Sequence, residues 1–152
     1  MALPNIFTKS VSEKTIQRID LLKANSQPNW GKMNVEQMLA HSNVMYEMVF
    51  ENKHPKPSFF MKLIMKAFVK RIVVSETPYK HNSQTAPAFI IKDSRNFDIE
   101  KNRLIQHINK TQQLGEESFE GKESHSFGTL SKTEWNNMFY KHIDHHLNQF
   151  GV

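Results

Sequence analysis

Three times along the chain a small polar residue is followed three positions later by Glu or Gln: Ser10 with Glu13, Asn34 with Gln37, and Ser131 with Glu134. Such a pair satisfies two of the backbone N–H groups that a helix start leaves without partners, so the pattern marks where helices begin as well as that they form. Apolar residues at three- and four-residue spacing follow each one: Thr15, Ile19 and Leu22; Met38, Met45 and Met48; Trp135, Met138 and Phe139. The spacing predicts helices over about 11–25, 35–51 and 132–149. A further helix is expected from near Asp98 through Leu104 and Ile108 to Gly115, a residue suited to the left-handed position after a helix end.

Four amphipathic helices in 152 residues predict one all-α domain over residues 1–152, a four-helix bundle. Five glycines and the absence of an Asn-Gly turn argue against a hairpin-rich fold. Residues 53–97 form too long a link to join antiparallel neighbours and read as a crossover between the second and third long helices. Within it, 59–74 reads as a short amphipathic helix, with Lys62, Lys66, Lys70 and Arg71 on one side and Phe60, Leu63, Ile64, Ala67 and Phe68 on the other. Its four charges exclude a bilayer span. A lid or a dimer interface is the preferred use of that segment, ahead of membrane or nucleic-acid contact. Ala88–Lys92 is expected to be briefly extended, and 116–131 to be a short link.

The net charge of +5 is spread among interspersed acids and bases, as on a solvated surface. A small-molecule substrate is therefore expected, with neither nucleic acid nor membrane as partner. The chain has no cysteine, which excludes disulfides, a Cys-based zinc site and a thiol nucleophile of its own. The first residues lack the apolar run of a secretory signal, and a cytoplasmic location is expected. No Gly-rich phosphate loop, G-x-S-x-G elbow or helically spaced carboxylate pair supports nucleotide chemistry, serine hydrolysis or glycosidase action.

Three of the eight histidines fall in residues 142–146. His142 and His146 are four apart, so on a helix they share one face and can bind one ion together. They continue the stripe of Trp135, Met138 and Phe139, which directs them inward. His41 interrupts the apolar stripe of the second helix in the same way, and a buried imidazole requires a partner. His41, His142 and His146 are thus the candidate metal ligands, with His145 competing for the place of His146. His41 lies early in its helix and the other two late in theirs, so they meet only if those helices are antiparallel. With the long crossover and the short link 116–131, this predicts an up, down, down, up order. Gln149, three residues beyond His146, is a candidate for orienting an imidazole N–H, as is His145. Asp144 is expected to be solvated and His125 to order its loop. His54, His81 and His107 read as exposed or loop residues without a role. Trp30, Tyr46 and Tyr140 either line a pocket or pack in the core.

The run His-x-x-His-His-x-x-Gln at 142–149, with a lone inward His41 about a hundred residues earlier, resembles the DinB/YfiT-like superfamily. Residues 30–41 (WGKMNVEQMLAH), 125–135 (HSFGTLSKTEW) and 146–151 (HLNQFG) extend the resemblance to an uncharacterised branch. It implies a three-histidine site holding zinc or nickel in a bundle that is frequently a homodimer. It also implies a metal-dependent activity using an external low-molecular-weight thiol, as in thiol transferases. Three neutral imidazoles leave a coordination position open, which suits a borrowed thiol or, in a hydrolase, water. A metal that only stabilises a ligand-binding or stress protein is the alternative.

Overall fold

The structure, a computed structural model, describes residues 2–51 and 53–152. Its helices begin where side chains satisfy the first N–H groups. Helix α1 spans Lys9–Leu21 and α2 spans Val35–Phe50. At the start of α2, Asn34 Oδ1 accepts from Gln37 N at 2.9 Å and Gln37 Oε1 accepts from Asn34 N at 3.2 Å. Helix α1 departs from the expected start. Thr8 is its cap and makes no side-chain cap bond, and Ser10 lies inside the helix. The cause is local: Asn5 O accepts from both N and Oγ1 of Thr8, so a turn at Asn5 launches the helix before Ser10 is reached. The helix also ends earlier than residue 25, because Leu22 turns extended to enter the core and only polar or small residues follow it.

The crossover holds α3 (Phe59–Ile64), a π-helical turn (Met65–Val69) and α4 (Lys70–Val74) in continuous succession. Met65, Val69 and Val73 pack inward while Phe60, Ile64, Phe68 and Ile72 stay outside. Both rows repeat every four residues, which drifts by about 40° per step on a regular α-helix. One widened turn absorbs the drift and keeps each row on its side. Farther on, Pro87–Phe89 forms a 3₁₀ turn that takes in Ala88 and Phe89 of the segment expected to be extended, and Ile90 after it is extended. Helix α5 (Phe97–Leu114) begins with Asn96 Oδ1 accepting from Ile99 N and ends at Gly115, whose φ is +72°.

The link 116–131 is more structured than expected. A 3₁₀ turn at Glu116–Phe119 leads into strands β1 (Lys122–Ser124) and β2 (Gly128–Leu130), paired antiparallel with Glu123 opposite Thr129. The chain is therefore mostly helical with one small hairpin, not purely α. Ser124 Oγ closes that hairpin, accepting from Phe127 N and donating to Gly128 O. Helix α6 (Lys132–Gln149) starts with the expected box, Ser131 Oγ accepting from Glu134 N and Glu134 Oε2 accepting from Ser131 N.

The core lies where α2 and α6 face each other and α1 and α5 close the sides. Tyr46 stacks on Phe139 at 5.1 Å between ring centres, and Phe119 meets Phe139 edge-on at 5.5 Å. Removing a ring from such a cluster costs about 3–5 kcal/mol, so these residues position the site by fixing how α2 meets α6. Ile6 N donates to Asn136 Oδ1, while Arg18, near the other end of α1, donates to Asp144 Oδ1, to Asn148 Oδ1 and to the Val152 carbonyl. Asp144 is consequently half-buried in an ion pair with Arg18, not solvated as expected.

Candidate metal centre

Helix α2 is buried along nearly its whole length, and His41 is buried within it. Its ring packs 5.0 Å from that of His142 and 4.6 Å from that of His146, centre to centre. Those two sit four residues apart on one face of α6, at 4.9 Å. One nitrogen from each of the three rings lies within 4.8 Å of the other two, so the group could hold a metal ion.

The outward-facing nitrogens decide which lone pairs face inward. His41 Nδ1 donates to the Phe89 carbonyl at 2.9 Å, which places the lone pair of His41 on Nε2. His146 Nδ1 donates to Gln149 Oε1 at 2.8 Å, and Gln149 Nε2 donates in turn to the Trp30 carbonyl at 2.6 Å. The lone pair of His146 is then also on Nε2. His41 Nε2 and His142 Nε2 are 3.0 Å apart. Since His41 Nε2 has no proton to give, His142 Nε2–H closes that contact. His142 Nδ1 is left buried with no partner among the described residues.

A divalent ion fits this donor set. Two imidazoles bound at 2.0–2.1 Å to a tetrahedral ion have nitrogens about 3.3 Å apart, close to the His41–His142 separation, and His142 would ligate through Nε2 in the tautomer that carries its proton on Nδ1. Burial pushes all three imidazoles toward the neutral form that ligates metal. It is the chief cause of the lowered pKa of His41, of the value well below normal for His142, and of a value of about 3 for His146. The carbonyl and amide that hold His41 and His146 also fix their tautomers, as outer partners of metal-bound histidines do.

A family model described as protein of unknown function (DUF1569) matches residues 7–151. The chain belongs to that family. No curated protein and no solved structure matches it.

In this DUF1569 chain His145 adjoins the three, its ring 5.2 Å from that of His146, but is not a member of the converging group. Its ring also faces Trp30 at 5.9 Å, Tyr79 at 5.6 Å and His81 at 6.1 Å. These residues, with Tyr140 and Lys141, line a cleft of about 160 Å³ whose other wall is the crossover. Trp30 and Tyr140 thus line a pocket, whereas Tyr46 is in the core. Lys141 anchors the crossover: its Nζ donates to the carbonyls of Ile72 and Ser75 and lies 4.6 Å from the Tyr79 ring, and burial lowers its pKa to about 8. His41, His142 and His146 do not line this cleft, nor a second one of about 280 Å³ beside Lys56 and His125. Of the three, His41 and His146 are buried and His142 is half-buried.

Two groups escaped the sequence reading. The Phe89 and Trp30 carbonyls are backbone atoms and carry no residue-type signal. His107, expected to be exposed, is buried in α5, with Nδ1 bonded to Asn43 Oδ1 and Nε2 facing Glu51. It belongs to a polar seam between α2 and α5, in which Arg103 pairs with Glu47 and Glu100 and Asn43 bonds Glu100. Burial opposes ionisation of Glu47, but hydrogen bonds from Arg103 and His54 hold its carboxyl below the usual range. The sequence carries no signal for His107, because the polar positions of α5 that meet α2 repeat with the same period as positions that face water. His54 is likewise half-buried, bonded to Glu47. His81 is exposed and stacks on Trp30 at 3.8 Å. His125 orders its loop as expected, bonding Ser126 and the His54 carbonyl.

Proposed function

We propose that this chain is a metal-dependent protein that holds zinc or nickel through His41, His142 and His146 and acts on a small molecule with an external thiol or water. The observation that carries the reading is the convergence of one nitrogen from each of the three rings, with the lone pairs of His41 and His146 fixed on Nε2. A divalent ion bound there supplies Lewis acidity and lowers the pKa of a thiol or water at its open position. The chain's own part is to keep the imidazoles neutral and to set the tautomers of His41 and His146 through Phe89 and Gln149.

The reading includes an up, down, down, up bundle of the DinB/YfiT-like type. Supporting it, Asn43 meets Glu100, Glu47 meets Arg103 and Glu51 meets His107, an ascending order expected of parallel α2 and α5. His41 with His142 and Tyr46 with Phe139 give the descending order expected of antiparallel α2 and α6.

Metal content of the purified protein, compared with His41→Ala and His142→Ala, tests the site. One bound ion per chain, lost in both variants, is the expected result, and metal retained in both refutes it. A non-catalytic metal is the second reading, favoured by the burial of His41 and His146. Turnover of a chloroaromatic or epoxide with a small thiol, dependent on the metal, separates the two.

A further inference from the structure

Of the large apolar side chains this protein exposes, seven fall between Phe59 and Ile72: Phe59, Phe60, Met61, Leu63, Ile64, Phe68 and Ile72, with Phe60, Phe68 and Phe59 each more than 70% exposed. A contiguous apolar surface of this kind marks an interaction site. The segment is not a lid, because its inward row of Met65, Val69 and Val73 already seats it on the core and its outer row touches neither cleft.

Charge selects the occupant. Between Glu51 and Glu76 the sequence contains Lys53, Lys56, Lys62, Lys66, Lys70 and Arg71 and no acidic residue. Lys62 and Lys70 are tied to Glu123 and Glu134 on the body of the protein. Lys66 and Arg71 are exposed on the same short segment and have no ion-pair partner among the described residues. A second copy laid on this face would bring like charges together with no acid in the segment to pair them. An anionic bilayer satisfies both features, since phenylalanine and leucine enter the boundary between headgroups and acyl chains while lysine and arginine stems reach back to the phosphates. No helix among the described residues is long and apolar enough to cross a membrane, so the contact is peripheral.

We propose that the outer face of residues 59–72 docks this protein onto the surface of an anionic phospholipid bilayer. The geometry requires two signals together, apolar insertion and charge attraction, neither sufficient alone.

The test is co-sedimentation of the full-length protein with phosphatidylcholine vesicles containing about 30 mol % phosphatidylserine, against pure phosphatidylcholine vesicles, at low and high salt. Partitioning onto the anionic vesicles only, reversed by about 0.5 M salt, is expected. Each exposed cation contributes about fivefold near such a surface, so Lys66→Gln with Arg71→Gln lowers the partition coefficient about thirtyfold. Phe60→Ser with Phe68→Ser abolishes it, and unchanged circular dichroism shows that both double variants are folded. Equal binding to both vesicle types, or none to either, overturns the proposal. So does a dimer in sedimentation velocity that Phe60→Ser with Phe68→Ser dissociates, since a second copy would then own the face. Binding to duplex DNA that survives the loss of both phenylalanines overturns it as well.

Discussion

Replacing Gln149 separates two tasks that one side chain performs. Its Oε1 holds His146 Nδ1 at 2.8 Å, its Nε2 holds the Trp30 carbonyl at 2.6 Å, and the residue is 4% exposed. Gln149→Leu keeps the bulk and removes both bonds. Each of the two buried groups left without a partner costs about 1–3 kcal/mol, so the metal-free protein should lose roughly 2–6 kcal/mol of stability. Freeing the tautomer and rotamer of His146 should also weaken zinc about 10- to 100-fold, because outer partners of metal-bound histidines carry that much affinity. Zinc competition against a chromophoric chelator reads the second effect, and urea unfolding of chelator-treated protein reads the first. Gln149→Glu distinguishes the bonds. It keeps an acceptor for His146 but sets a carboxylate against the Trp30 carbonyl, so stability should fall while zinc affinity is retained. If Gln149→Leu binds zinc within about twofold of the parent while losing stability, the side chain is a structural clamp and does not orient the ligand.

Three further perturbations act at other points of the structure. A Cβ at Gly31 would meet Gln149 Nε2 at 2.5 Å, and φ there is +86°, so Gly31→Ala should weaken zinc in the same assay without deleting any polar group. Unchanged affinity would mean that Gln149 relaxes without disturbing His146. Arg103→Met removes the cation that Glu47 and Glu100 share, leaving Glu47 with His54 and Lys53 and Glu100 with Arg95, and should cost about 1–3 kcal/mol in urea unfolding with zinc affinity unchanged, whereas a loss under about 0.5 kcal/mol would show the seam to be solvated. Burial lowers His146 from 6.5 to about 3, so between those values the unfolded state binds the extra proton and stability falls as pH drops. Chelator-treated protein should lose about 1.4 kcal/mol from this residue alone between pH 7.5 and pH 5.5. A flat urea midpoint over that range contradicts a buried neutral imidazole.

What the sequence reveals here depends on whether a signal is local and whether it breaks a pattern. The starts of α2 and α6 are legible because a capping box is complete within four residues. The box at Ser10 misleads because a turn at Asn5, equally local, competes with it and reaches the helix first. The hairpin at Lys122–Leu130 carries no Asn-Gly turn and is closed by the Ser124 side chain, so nothing in its composition separates it from a plain link. The three histidines are legible for the opposite reason: each interrupts an apolar stripe, and an imidazole in such a place demands a partner. His107 shows the limit of that argument. Asn43, Glu47 and Glu51 on α2 face Glu100, Arg103 and His107 on α5, and two polar stripes that pack on each other have the same periodicity as two that face water. Pairing alone distinguishes them, and pairing is a property of two helices, not of one. The same holds for the outer partners of the metal group. Every residue has a carbonyl, so the choice of Phe89 and Trp30 is made by the loops that deliver them. A loop substitution that shifts either carbonyl should therefore act on the metal group as strongly as one at Gln149, although no sequence pattern marks the position.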